Sequence, residues 1–384
     1  MRPRKEGSLK PSETRVIISG GGTGGHLFPA LAIAEALCIL RPRIEILFVG
    51  AIGKIEMEKV PAAGYRIEGL DIRGFQRSLT IENLKFPARL VKSLLRSFAI
   101  LRSFKPQVAV GVGGYASGPL LFAAERKKIP CLIQEQNSYP GVTNKMLAKR
   151  AARICVAYKG MEKFFPAEQL RLTGNPVRAQ ISGPLPGRSE GIAVFGLNEL
   201  KKVILVVGGS QGARTLNESM LGGLEALHAA GIQLLWQTGK FYYKEIMART
   251  EGDVSGSKMV IREFVDRMDL AYAAADLIIS RAGAGTISEL TFTGKAVILV
   301  PSPNVAEDHQ THNARSLVYA GAAVMVADNE ARATLVSTAI SLLQDEGKCE
   351  MLGKNLRTQA FPDSAIVIAT EILSLADQSL SQWI

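Results

Sequence analysis

A glycine-rich turn occurs twice in this chain, as Gly20-Gly21-Gly22-Thr23-Gly24-Gly25-His26 and as Gly208-Gly209-Ser210-Gln211-Gly212-Ala213, each directly after a β-branched run and before an amphipathic segment. Two such turns predict two halves. Arg15-Val16-Ile17-Ile18-Ser19 and Val203-Ile204-Leu205-Val206-Val207 read as buried parallel strands, and Leu27 to Leu40 and Arg214 to Ala229 as the helices that follow. A residue without Cβ lets the backbone turn sharply and present its N–H groups to a phosphate at the positive end of the next helix dipole. A nucleotide or pyrophosphate is the expected guest.

Further apolar runs recur at Ile44–Val49, Gln107–Val112, Cys131–Gln134 and Ile154–Ala157, and in the second half at Gln233–Trp236, Met259–Ile261, Leu277–Ser280, Val297–Val300 and Ala323–Val326. Strands alternating with helices imply parallel sheets joined by right-handed crossovers, and 384 residues suffice for two cores. Turn formers displace the pattern from Gly174-Asn175-Pro176-Val177-Arg178 to Ser182-Gly183-Pro184-Leu185-Pro186-Gly187, which marks a linker. Open α/β sheets bind ligands beyond the carboxyl ends of their strands, so both glycine turns are expected at one cleft.

The net charge of +11 is unevenly divided. Residues 1–178 hold 29 Lys+Arg against 13 Asp+Glu, or +16, and residues 179–384 hold 17 against 22, or −5. Between Asn83 and Pro106 no acidic residue occurs, while Lys85, Arg89, Lys92, Arg96, Arg102 and Lys105 interleave with Leu84, Phe86, Leu90, Val91, Leu94, Leu95, Phe98, Ile100 and Leu101. This basic amphipathic helix either docks on anionic lipid headgroups or packs its apolar face on the sheet with a solvated basic face. Low aromatic content, 6% of residues, and no known nucleic-acid motif make a membrane surface the preferred partner over nucleic acid. The four cysteines show no CxxC spacing and are expected as reduced thiols, and residues 1–14 read as a loose basic tail.

Rival chemistries are tested by what should accompany them. Gly20, Gly22 and Gly25 satisfy GxGxxG, but Ile44–Val49 runs into Gly50 and Ala51 without the acidic residue a nicotinamide cofactor needs there. No GxxxxGK[ST] and no Asp-x-Asp occurs. Of four histidines, His26 follows a glycine turn, where an imidazole at a helix N-terminus stays neutral and either serves as general base for a hydroxyl or caps the turn. His228 reads as structural, while His309 and His312 lack a third metal ligand. In Ser280-Arg281-Ala282-Gly283-Ala284-Gly285-Thr286-Ile287-Ser288-Glu289, Glu289 either accepts hydrogen bonds from a ribose diol or closes a Thr286-x-x-Glu289 capping box.

Taken in order, Gly21-Gly22-Thr23-Gly24-Gly25-His26, Gly111-Val112-Gly113-Gly114-Tyr115, Gln134-Glu135-Gln136-Asn137 with Gly141 and Asn144, Gly174-Asn175-Pro176-Val177-Arg178, the second glycine turn, the Ser280–Glu289 cluster and Asp308-x-Gln310-x-x-Asn313-Ala314 resemble the MurG family. Its members are UDP-N-acetylglucosamine–N-acetylmuramyl-(pentapeptide) pyrophosphoryl-undecaprenol N-acetylglucosaminyltransferases. The resemblance implies a GT-B fold of two Rossmann-like parallel-sheet domains facing a central cleft. It implies an inverting transfer of GlcNAc from UDP-GlcNAc to lipid I, without a cofactor or metal, at the cytoplasmic face of the inner membrane, with other cell-wall synthesis proteins as further partners. The domains would be a tail over 1–14, an acceptor- and membrane-binding domain over 15–176, a UDP-GlcNAc domain over 177–362, and a helix over 363–384 that returns to the first.

The same resemblance assigns residues. The donor would meet Thr23, Gly24, Gly25, Asn137, Arg178, Ser210, Val265, Ala284, Gly285, Thr286, Ile287, Ser288, Glu289 and Gln310, with Val265 reading the uracil edge through its backbone and Glu289 the ribose. The acceptor pyrophosphate would meet Gly22, Thr23, Gly24, Gly25, His26, Gly113, Gly114 and Tyr115. His26 and Asn137 would stand beside the reacting groups, His26 as base or phosphate ligand. Arg89, Lys92, Leu95, Arg96 and Phe98 would face the membrane. The alternatives are a GT-B enzyme with a diacylglycerol or other lipid acceptor, and a non-catalytic nucleotide-sugar sensor.

Overall fold

A computed structural model describes residues 14–73, 86–209, 211–250 and 258–381. The expected basic tail save Thr14, Leu84 and Lys85 of the basic helix, and Ser210 lie outside the described residues. The first half is a seven-stranded parallel sheet ordered β3-β2-β1-β4-β5-β6-β7. Its strands are β1 (Arg15–Gly20), β2 (Glu45–Ala51), β3 (Arg66–Leu70), β4 (Val108–Gly113), β5 (Cys131–Glu135), β6 (Arg153–Val156) and β7 (Leu170–Leu172). The second half repeats the plan with six strands ordered β10-β9-β8-β11-β12-β13. These are β8 (Val203–Val207), β9 (Gln233–Gln237), β10 (Met259–Arg262), β11 (Leu277–Ser280), β12 (Ala296–Leu299) and β13 (Val324–Met325).

Period-two alternation buries both faces of each sheet. Ile17 of β1 joins one apolar cluster and Val16 and Ile18 the other. In β8, Val203, Leu205 and Val207 face one cluster, Ile204 and Val206 its opposite. Strand order reverses between β1 and β4 and between β8 and β11, so each half has a switch point where side chains and loops diverge and leave a crevice. The two glycine turns follow β1 and β8, at those crevices.

The chain passes between the halves twice. The helix Ser364–Ser381 lays Ile368, Ala369, Ile372 and Ala376 into the cluster that holds Val16, Ile18, Leu27, Ile33 and Leu37. Arg41 pairs with Asp377 at 2.8 Å and Arg153 with Glu371 at 3.1 Å over that seam. The passing segments abut at Gly174, whose φ of +75° favours glycine and where a Cβ would overlap Phe361.

Three local readings differ from expectation. β3 and β7 are edge strands with charged residues in alternation, which no apolar run announces. The expected helix Arg214–Ala229 is two, Arg214–Gly222 and Leu224–Ala229, because Gly223 lets Val336 of a neighbouring helix approach its backbone. The first helix starts at Gly24, with Thr23 as N-cap in extended conformation.

Candidate active site

The first turn leaves β1 and is packed from two sides. A Cβ on Gly114 (φ +89°) would overlap the Gly21 carbonyl, and one on Gly113 (φ +112°) would lie 2.5 Å from His26 Nδ1. Glycine at both positions therefore lets the β4 loop close on the turn. Tyr115, half-exposed, stands at the rim. From below, the buried Glu56 carboxylate accepts N–H bonds from Gly22 at 2.8 Å and Ala51 at 2.9 Å. The amide of Gly22, expected to meet acceptor phosphate, is thus spent inside the protein. Leu27 N–H bonds Thr23 C=O at 3.1 Å, so the amides of Gly24 and Gly25 precede the helical ladder.

His26 Nδ1 lies 2.8 Å from Gln136 Oε1. Gln136 Nε2 donates to the carbonyls of Val112 at 2.6 Å and Gln134 at 3.2 Å, so its oxygen must face the ring and Nδ1 must carry the proton. Nε2 is left with a lone pair. Burial pushes the imidazole below its ordinary pKa, against the opposing pull of the Glu135 carboxylate and the Gln136 bond. A neutral ring with an accepting Nε2 is what a general base for a hydroxyl requires. Glu135 and Gln136 were visible only as parts of a motif; their roles come from distances across the sheet. Glu135 Oε1 accepts from Asn137 N and Nδ2 at 3.0 and 3.2 Å, and its Oε2 from Asn144 Nδ2 at 2.8 Å.

In the second half a cavity of about 580 Å³ opens at the β8/β11 switch point, lined by Gly208, Gly209, Ser280, Arg281, Thr286 and Gln310 among others. Gln310 Oε1 accepts from Ser302 N–H at 2.9 Å at the edge of this cavity. The first bond of the helix Ala284–Leu290 runs from Ile287 N–H to Gly283 C=O, so the amides of Ala284, Gly285 and Thr286 precede the ladder. Ile287 differs from expectation: its side chain is in the core and its amide is inside the helix. Ser288 Oγ is engaged with Ala284 C=O and Asn175 Nδ2, each at 3.0 Å. Val265 N–H donates to Gln237 Oε1 at 2.9 Å, so only its carbonyl stays available to a base edge. Arg281 pairs with Asp328, which also accepts from Thr215 Oγ1 at 3.0 Å; no sequence signal joined these three.

Side chains bridge the halves. Arg178 donates through Nε to Glu289 Oε1 at 2.9 Å and lies over the Phe28 ring at 5.7 Å. Tyr272 donates its hydroxyl to Glu289 Oε2 at 3.1 Å. The helix N-cap is Gly283 without a side-chain cap, so the capping-box reading of Glu289 falls away. Burial raises the Glu289 carboxyl, opposed by the Arg178 guanidinium. Asn313, fully buried, accepts from Ser138 N and Oγ at 3.0 and 2.9 Å and donates to Asn137 Oδ1 at 3.3 Å. His312 stacks on Tyr139 with centroids 5.6 Å apart, and among the described residues no three His, Cys, Asp or Glu side chains gather as metal ligands.

The basic helix spans Phe86–Phe104 and buries Ser93, Ser97, Ile100, Leu101 and Phe104. Phe98 packs against the same core, which corrects its expected place on the membrane face. The outward side keeps Val91 and Leu95, 56% and 66% exposed, beside Lys92 and Arg96. Arg96 pairs with Glu68 at 2.7 Å and Lys92 with Asp71 at 3.8 Å, so part of the basic charge is answered from the sheet edge. Among the described residues no helix is long and apolar enough to cross a membrane.

Two facing switch-point sites are the plan of a nucleotide-sugar transferase, and the family comparison names the class. Residues 16–156 match the glycosyltransferase family 28 N-terminal domain and residues 203–366 its C-terminal domain. A UDP-N-acetylglucosamine--N-acetylmuramyl-(pentapeptide) pyrophosphoryl-undecaprenol N-acetylglucosamine transferase of Parabacteroides distasonis is 53% identical over 95% of this chain and 99% of its own length. The transferase of the same name from Bacteroides fragilis is 52% identical, covering 95% and 96%. The crystal structure of Acinetobacter baumannii MurG superposes with a TM-score of 0.76 at 28% identity, over 94% of this chain and 99% of that one. The chain belongs to this family of N-acetylglucosamine transferases.

Proposed function

We propose that the protein transfers GlcNAc from UDP-GlcNAc to the muramyl 4-hydroxyl of lipid I, forming lipid II for peptidoglycan synthesis. The observation that carries this reading is the pairing of a crevice at the β8/β11 switch point with a histidine on the first half whose Nδ1 meets the Gln136 oxygen and whose pKa burial lowers. UDP-GlcNAc occupies the crevice after β8, its diphosphate at the amides of Ala284 to Thr286, its ribose at Glu289 and its sugar at Gln310. The acceptor pyrophosphate lies at Thr23 to His26 and Gly113 to Tyr115. His26 Nε2 takes the proton of the attacking hydroxyl as the anomeric bond to UDP breaks, and helix N-termini stabilise the charge on the leaving diphosphate. One displacement inverts the anomeric carbon, so no enzymic nucleophile is needed.

Because lipid I stays embedded, the enzyme works from the surface, at the cytoplasmic face of the inner membrane. The Val91–Leu95 side of the basic helix, with Arg89, Lys92 and Arg96, is the docking side, anionic lipid supplying attraction of about 1 kcal/mol per basic residue. Other cell-wall synthesis proteins are natural neighbours there. The reading is tested with labelled UDP-GlcNAc, a short-chain lipid I analogue, a parallel diacylglycerol acceptor, and EDTA throughout. Turnover on the lipid I analogue alone is expected; turnover only on diacylglycerol, or donor binding without transfer, would sink it, and loss of activity in EDTA would remove metal independence.

A further inference from the structure

The carboxylate under the first turn has no part in the chemistry above. Glu56 opens a short helix after β2 and is 1% exposed. Its two oxygens accept the Gly22 and Ala51 amides, and no ion pair to it occurs among the described residues. Space around it is made by glycine: a Cβ at Gly21 would overlap the carboxylate, and one at Gly50 would lie 2.5 Å from Glu56 Cγ. Two glycines and two backbone donors thus converge on one buried anion, a larger outlay than a helix start requires. The location also matters. It lies between the turn after β1 and the end of β2, the region where a sheet of this order takes the ribose of a nucleotide whose phosphates rest on the turn. Glu56 fills that region with a carboxylate and engages the Gly22 amide, so the amides of this turn left ahead of the helical ladder are those further along, at Gly24 and Gly25.

We propose that Glu56 is a positioning residue for the acceptor: a built-in anion that shapes the first turn for a lipid-linked pyrophosphate and closes the neighbouring nucleoside space. The proposal rests on the acceptor lying at this turn. Neither near relative of a glutamate can replace it. Glutamine has one acceptor oxygen for two N–H donors and sets its own NH₂ against the second. Aspartate keeps the charge but is one methylene short of holding both amides.

Steady-state kinetics of Glu56→Gln, with lipid I analogue and UDP-GlcNAc varied separately, tests this. The acceptor KM is expected to rise at least tenfold while the donor KM stays within twofold. Glu56→Asp carries the same expectation if the glutamine variant does not accumulate as folded protein. A parallel rise in both KM values, a reduced active fraction with both KM values unchanged, or no change would overturn the proposal. Gly25→Ala separates this from the underlying reading, because its Cβ would meet only Thr23 Oγ1 at 3.6 Å, an ordinary contact, so the fold should accept it. If Gly25→Ala leaves the acceptor KM unmoved, the acceptor is elsewhere; if it raises that KM and Glu56→Gln does not, only the role of Glu56 is lost.

Discussion

The tautomer of His26 is set by Gln136, 110 positions along the chain. That dependence can be read in a pH profile. The histidine is held below its ordinary pKa, so wild-type kcat should fall only on the acid side of the usual imidazole range, as Nε2 becomes protonated. Gln136→Glu places a carboxylate at Nδ1, which favours the imidazolium, so the acid limb should move to higher pH. His26→Gln should lower kcat by roughly 10²–10⁴, the usual worth of a general base, with the donor KM retained. An unchanged profile in Gln136→Glu would return His26 to phosphate positioning. Glu289→Ala leaves Arg178 and Tyr272 without their carboxylate partner and would remove the proposed ribose contact, so donor affinity should weaken by about 1–3 kcal/mol in a calorimetric titration. The position of His26 after a glycine turn was legible in the sequence. Its partner was not, because nothing in local periodicity says which side chain of β5's loop arrives opposite a residue of β1's.

Elements follow the same rule. The strands with continuous apolar runs, β1, β4, β8 and β11, were readable because both faces are buried. Arg66-Ile67-Glu68-Gly69-Leu70 and Leu170-Arg171-Leu172 were not, since an edge strand is half solvated and needs no such run. Along the helix Phe86–Phe104, composition could not say which apolar residues turn outward; packing against the sheet takes Phe98 and leaves Val91 and Leu95. Charge reversal at Arg89, Lys92 and Arg96 should therefore reduce sedimentation with anionic liposomes several-fold, whereas neutral liposomes should show little difference. At the crevice after β8, Gly285 has open space where a Cβ would stand. Gly285→Ala should leave thermal stability almost unchanged and raise the donor KM if the methyl projects where the diphosphate is proposed to lie; a donor KM equal to wild type would move the diphosphate off that helix.

At the scale of the molecule, Asn313, on the helix His309–Tyr319 of the second half, bonds Asn137 and Ser138 of the first. Asn313→Ala removes a buried carboxamide that serves both halves and should cost about 1–3 kcal/mol in urea unfolding, with faster proteolysis across the passage at residues 174–178. Resistance equal to wild type would show that the halves are held elsewhere. Two halves were foreseeable from two turns, but their joinery was not, because it depends on pairs such as Ser138 and Asn313, 175 residues apart. The C-terminal helix carries a last consequence, for synthesis. Ile368, Ile372 and Ala376 cover Val16, Ile18 and Leu37, yet they leave the ribosome after the entire second half. The half that is translated first is completed last, and until then its unfinished face is a natural target for chaperones.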